Sequence, residues 1–453
     1  MPAKRSVTTA PSDRSRNMHP EQTDLTRRRF LGAASAAIAL PWFVPGTAKG
    51  DQPGGRPAPS NRITMALIGC GGMGRANLHA FLDKPEVQVI AVCDPDRSHR
   101  DAARAAVEEH HRKTSAGRGP AGCASYNDFR DVLARDDIDA VIQAAPDHWH
   151  ALIVVSAARA GKDIYGEKPL SRTVEEGRIM SDAVRRYGRV FQTGSHQRSD
   201  SRFRHACELV RNGRIGEVRR ARVGLPGGSR TGNHPPIPVP DGFDYDLWLG
   251  PAPWTPFCEY RTHYNFRHIL DYSGGKLCDW GAHHIDIAQW ALGTLDTGPL
   301  EIEGVGEYPR DGLWNAALNF HFTATYERGT QLIVDNRFEQ GVKFEGDEGW
   351  VFVRRGALDA HPRSLLTSVI APNEIHLHRS GDHRQNFLDC IRARREPAAP
   401  IEHAHRSITI AHLANIAMQL GRKLRWHPDA ERIVGDDPAN RMLGRAMRQP
   451  WRF

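Results

Sequence analysis

Asp279 and His283 stand four residues apart in a stretch, 277–292, that reads as a helix, so both side chains leave one face toward a common ligand. Imidazole titrates near neutrality. His283 is therefore the candidate acid or base for moving a proton, with Asp279 orienting either the ligand or the imidazole. His284 lies about 100° further round the helix and is kept as a possible substrate contact. Asp279, His283 and perhaps His284 as metal ligands would be a geometrically poorer arrangement, and no metal is expected. Lys168, between Glu167 and Pro169, adds an amine that can take part in proton transfer. Its simpler alternative is a surface ion pair with Glu167. Asp286, on the neighbouring turn, reads as structural.

These groups need a scaffold, and the chain offers one. Ile63 to Ile68 is an uncharged apolar run suited to a central parallel strand. It runs into Gly69-Cys70-Gly71-Gly72-Met73-Gly74, followed by a helical stretch and a second apolar run, 87–92, ending at Cys93-Asp94. Gly69 permits the tight turn, Gly71 lets backbone approach a pyrophosphate, and Gly74 allows helix–strand packing. The helix N-terminus offers free N–H groups to the phosphates, and Asp94, twenty positions after Gly74, can accept from ribose hydroxyls. A carboxylate there disfavours a 2′-phosphate, so NAD is expected; Arg97 and Arg100 close behind leave NADP possible.

The strand–helix rhythm continues. Helices are expected over 102–109, 126–133 (capped by Ser125 or Asn127) and 151–160, with strands at 138–142 and 163–165. Two polar clusters fall at strand ends: Pro146-Asp147-His148-Trp149-His150 and Glu167-Lys168-Pro169. His148 and His150 either pack as pocket-shaping aromatics or touch substrate. After the strand 190–192, Gln197 and Arg198 sit in a loop that can reach sugar hydroxyls. Beyond Gly194 the rhythm breaks, and 219–223, 318–326, 331–335 and 350–353 read as separate strands. His403, His405 and Arg406 precede a helix at 407–421 and are expected to cap it, the alternative being that they close the site.

Glu167-Lys168-Pro169, downstream of the glycine fingerprint and of 146–150, resembles the Gfo/Idh/MocA family. A third matching block is Gly274-Gly275-Lys-Leu-Cys-Asp279-Trp-Gly-Ala-His283-His284-Ile-Asp286. The resemblance extends from Asn61 to the C-terminus. It implies an α/β Rossmann domain (61–193) followed by an α+β domain (194–453) with a large, mostly antiparallel sheet. It also implies that Lys168 reaches the reacting hydroxyl and the nicotinamide ribose. Gly69, Gly71, Gly72, Met73, Gly74, Asp94, Pro146, Trp149, His150, Glu167 and Lys168 would then bind the cofactor. The expected activity is oxidation of a secondary alcohol on a sugar, cyclitol or glycoside. Alternatives are glycoside cleavage by a glycosidase or lyase with retained NAD, and a non-catalytic sugar-binding protein. Pairing of chains into a homo-oligomer is expected by analogy with the family.

The remaining features concern address and partners. Thr26 to Gly32 contains Arg27-Arg28 and resembles a twin-arginine export motif; an alanine-rich apolar stretch, 33–44, and small residues through Ala48 follow. Residues 1–48 are read as a signal peptide and 49–60 as a linker, implying the twin-arginine machinery as a partner and a periplasmic or otherwise exported protein. Such a protein leaves with its nucleotide already bound, so tight NAD binding is expected. The formal charge of +8 includes seven Lys/Arg and three Asp/Glu in that leader, leaving 54 basic against 50 acidic residues without a basic block. Nucleic-acid binding is therefore not expected. No segment is apolar enough to span a membrane, and seven irregularly spaced cysteines do not make a disulfide framework.

Overall fold

The computed structural model describes residues 61–114 and 122–453. The expected signal peptide and linker lie outside them. Six strands, β1 (Ile63–Ile68), β2 (Val87–Cys93), β3 (Ala124–Tyr126), β4 (Ala140–Gln143), β5 (Asp163–Gly166) and β6 (Phe191–Thr193), form a parallel sheet in the order β3-β2-β1-β4-β5-β6. β1 is buried at five of six positions between β2 and β4, which is why it carries no charge. The order reverses between β1 and β4, so the C-terminal ends of these strands open a crevice for a ligand. Both polar clusters noted above stand at that edge.

Nine strands make a second sheet: β7 (Val218–Gly224), β8 (Glu301–Glu307), β9 (Asn319–Thr325), β10 (Gln331–Asp335), β11 (Gly341–Gly346), β12 (Trp350–Arg354), β13 (Ala357–His361), β14 (Leu424–His427) and β15 (Arg432–Ile433). Their order is β13-β12-β11-β7-β10-β9-β8-β14-β15, antiparallel except where β10 meets β7. β8, β11, β13, β14 and β15 go beyond the expected strands. Their alternation is short or broken by glycine, as in Gly304 and Gly306 of β8. The buried helix Gly275–Leu292 packs on this sheet and against the helix Ile401–Leu420.

Several local expectations shift. The helix Asp147–Arg159 begins four residues before 151, with Pro146 as its N-cap; Asp147 favours the positive first turn, so the cluster 146–150 is helix start rather than loop. The short helix Phe129–Leu133 is capped by Asp128, whose carboxylate accepts from Arg130 N, rather than by Ser125 or Asn127. His403, His405 and Arg406 lie inside the helix Ile401–Leu420, which starts after Pro400, and cap nothing. The chain also returns to the first sheet: Phe387, Leu388 and Cys390 of the helix His383–Ala393 pack with Met65, Leu67, Phe81 and Tyr165. The dinucleotide-half core is thus completed by residues nearly two hundred positions downstream of β6. Among the described residues no helix is long and apolar enough to cross a membrane.

Candidate active site

A cavity of about 720 Å³ runs from the glycine turn to the helix Gly275–Leu292. That is room for a cofactor-sized ligand. At one end Gly69, Gly71, Gly72 and Met73 form its wall. Gly74 packs behind them: a Cβ there would stand 1.9 Å from the Gly69 carbonyl oxygen, so only glycine brings the helix this close to the strand. Cβ atoms on Gly71 or Gly72 would meet nothing within 4 Å, leaving an open cradle beside the turn. Asp94 closes the end of β2. Its Oδ2 accepts from Cys70 N at 2.7 Å and its Oδ1 from Asp96 N at 2.9 Å, which fixes the carboxylate toward the cavity. Burial raises the Asp94 carboxyl, against the opposing pull of those two N–H donors. Arg100 is occupied by the Asp94 carbonyl oxygen, at 2.6 Å. The open cradle and the fixed acid suit a dinucleotide.

At the other end the strand β5 delivers Glu167 and Lys168, and the helix Gly275–Leu292 delivers Asp279 and His283. Lys168 Nζ donates to Asp279 Oδ1 at 2.6 Å and to the Asp279 carbonyl oxygen at 3.0 Å. The surface pairing with Glu167 therefore does not occur. Burial raises the Asp279 carboxyl, but the charges of Lys168 and Arg267 and the Lys168 hydrogen bond outweigh it and bring it down to about 2. Lys276 Nζ and Arg267 Nε lie 3.4 Å and 3.6 Å from the same carboxylate. His283 lines the cavity one turn on, with Nδ1 buried and unpartnered. Burial, then the charges of Lys168 and Arg355, push its basicity well below the ordinary value, so the ring stays neutral and keeps a lone pair on one nitrogen. Glu167 Oε1 accepts from Asn77 at 2.7 Å, and burial raises its carboxyl.

The middle of the cavity is shaped by aromatics from both halves. Pro146, Trp149 and His150 all line it. Trp149 Nε1 donates to the Trp248 carbonyl oxygen at 2.9 Å, and Gly250 (φ 48°) lets the indole pass, since a Cβ there would stand 2.0 Å from it. The His148 Nε2 also meets the Trp248 carbonyl, at 3.0 Å. His150 spans the carbonyls of Pro169 and Ala145, each at 2.8 Å, and so positions the Lys168-Pro169 segment. His150, with both ring nitrogens at backbone carbonyls, is a pocket-shaping group; His148 lies behind the lining, packed against Trp248 and Tyr272.

Three expected substrate contacts stand elsewhere. Arg198 is 2% exposed and donates to both oxygens of Asp286 at 2.7 Å, with Trp290 beneath its guanidinium; it is a structural ion pair. Gln197 is buried outside the cavity lining. His284 Nδ1 meets the Gly224 carbonyl oxygen at 3.1 Å, facing the second sheet rather than the cavity. Their places on the wall are taken by His196, Tyr264, Arg267, Trp280 and Arg355. His196 pairs with the Tyr165 hydroxyl at 2.8 Å and burial brings its imidazole down to about 3. Arg355 sits in the two-residue turn between β12 and β13, with its guanidinium 5.0 Å from the Trp280 ring centre.

Residues 63–195 match "Oxidoreductase family, NAD-binding Rossmann fold", of the Gfo/Idh/MocA group, and residues 228–453 match the C-terminal alpha/beta domain of the same oxidoreductase family. An uncharacterised oxidoreductase of Bacillus subtilis, YrbE, is 25% identical over 302 residues, covering 64% of this chain and 73% of that one. A levoglucosan dehydrogenase of Pseudarthrobacter phenanthrenivorans is 31% identical over 166 residues, 34% of this chain and 39% of its own length. The WlbA dehydrogenase of Bordetella pertussis, solved with NADH and UDP-GlcNAcA, superposes with a TM-score of 0.59 at 16% identity, over 81% of this chain and 99% of that one; at this identity the likeness is one of fold.

Proposed function

The chain belongs to the Gfo/Idh/MocA oxidoreductase family, and we propose that it oxidises a secondary alcohol of a sugar, cyclitol or glycoside with NAD. The observation that carries this reading is the Lys168–Asp279 pair beside a neutral His283, in one cavity with the glycine turn and Asp94. Bound at that turn, NAD supplies the hydride acceptor. The protein supplies position and proton transfer. Asp279 holds the Lys168 ammonium in place, and Lys168 donates to the substrate oxygen as the C–O bond gains double-bond character. His283 would accept the hydroxyl proton on a ring nitrogen as the carbinol C–H bond passes its electron pair to the bound nicotinamide, so that the alcohol would leave as a ketone with one proton held on the imidazole. The levoglucosan dehydrogenase among the relatives supports the reaction class.

Export through Arg27-Arg28 and retention of the nucleotide belong to the same proposal, because a nucleotide loaded before export is not replaced from a cytoplasmic pool. Mass spectrometry of nucleotide released on denaturing the full chain tests retention: stoichiometric NAD(H) is expected, and an empty protein contradicts it. Pairing of chains through the second sheet is supported by half-buried Trp350 and Phe352 on its face.

A further inference from the structure

The segment that crosses from the second half to the cavity rim is tied to the end of β2 by backbone. Arg97 N donates to the Gly242 carbonyl at 2.9 Å and Asp244 N to the Pro95 carbonyl at 3.0 Å. Beside these bonds Asp96, His99 and His263 converge. Asp96 Oδ1 is held by Ser98 N at 2.8 Å and Ser98 Oγ at 2.6 Å, which turns Oδ2 toward His263. The Oδ2 to His263 Nε2 separation is 3.4 Å, and one ligand atom from each of the three residues lies within 4.8 Å of the others. The His99 and His263 rings are 4.6 Å apart, centre to centre.

The geometry points to a divalent transition-metal site, of zinc type, formed by Asp96, His99 and His263. Two imidazoles and a carboxylate are a borderline ligand set that suits zinc better than calcium or magnesium. Metal–ligand bonds of about 2.0–2.1 Å place tetrahedral ligand atoms roughly 3.4 Å apart, the separation already found between Asp96 and His263. The wider spacing to the third ligand closes by a rotamer adjustment at a partly exposed rim, where an ion also has a path in. The fourth position is left to water. Asp96 and His99 come from the dinucleotide half and His263 from the crossing segment, so the ion pins that segment at the cavity mouth, where His99 and His263 form part of the wall. The site uses none of Lys168, Asp279 and His283, and the inference is independent of the proposed reaction.

The test uses the full chain, stripped with a chelator and titrated with Zn²⁺ by calorimetry, then with Co²⁺ as a spectroscopic probe. One ion per chain is expected, with Co²⁺ bands of a tetrahedral or five-coordinate nitrogen–oxygen site and a higher melting temperature on Zn²⁺ addition. His99→Gln and His263→Gln should each lose the ion and the thermal shift. Wild-type protein that binds no Zn²⁺, a Co²⁺ spectrum with thiolate charge-transfer bands, or binding unchanged in both variants would overturn the assignment. The wild-type spectrum decides even if a variant fails to fold.

Discussion

Lys168 and Asp279 meet across the junction of the two halves, Nζ to Oδ1 at 2.6 Å, although 111 residues separate them in the chain. The contact joins the end of a parallel strand to the first turns of a buried helix. It makes the reactive end of the cavity a product of both halves.

Removing Asp279 takes from Lys168 its carboxylate partner, whereas removing Lys168 leaves Asp279 to Arg267 and Lys276. Lys168→Met should lower turnover by about 10²- to 10⁴-fold while nucleotide still binds, because the glycine turn is untouched. Asp279→Asn should slow turnover less while shifting its pH dependence, since Lys168 loses its anchor. Parallel measurement of kcat and of NAD binding by fluorescence checks both; normal turnover in Lys168→Met excludes that lysine from the chemistry.

The pH dependence follows from His283. Its basicity lies well below the ordinary 6.5, so the base form persists as pH falls through that value. The acid limb of kcat/KM should lie below pH 6.5, and a limb at or above it would show that His283 is not the base. Stability follows the same sign. Burial brings His148 and His412 down to about 3, with a neighbouring arginine charge adding to it at each, so between that value and 6.5 the unfolded chain binds protons that the native chain does not. Stability therefore rises with pH across that window, levels off above it, and is lost on acidification. Urea midpoints measured across the window check the direction.

Arg198 separates a structural from a ligand-binding role. Arg198→Met leaves the Asp286 carboxylate buried beside Ser407 with no cation, a loss of about 3–5 kcal/mol. The melting temperature should fall steeply while the KM of the folded fraction stays unchanged. The reverse pattern would return Arg198 to the substrate.

The glycines divide in the same way. Gly74→Ala drives a Cβ against the Gly69 carbonyl and should cost both fold stability and nucleotide binding. Gly72→Ala enters open space and should leave the melting temperature unchanged while weakening NAD binding, because that space is where the nucleotide approaches. Equal effects of the two would contradict the placement.

What could be read from the chain was what is written locally. β1, the glycine turn and Asp94 form one continuous stretch, and the spacing of Asp279 and His283 places both on one helical face. Arg198 was misread because Gln-Arg after a strand resembles a binding loop, while the carboxylate that claims it lies 88 residues away. Arg267 and Arg355 were missed because they come from an irregular crossing segment and a hairpin tip, where no periodicity marks direction. Phe387 and its neighbours carry a core pattern, but nothing local tells which core they complete.

The central claim is that one cavity holds NAD and moves hydride from a secondary alcohol. Its most direct measurement is single-turnover near-ultraviolet absorbance of NAD-loaded protein mixed with a panel of sugars, cyclitols and glycosides. A stoichiometric NADH transient with at least one substrate, absent in Lys168→Met, is the predicted result. NAD-loaded protein that forms no NADH with any of them, or an undiminished transient in Lys168→Met, would contradict it.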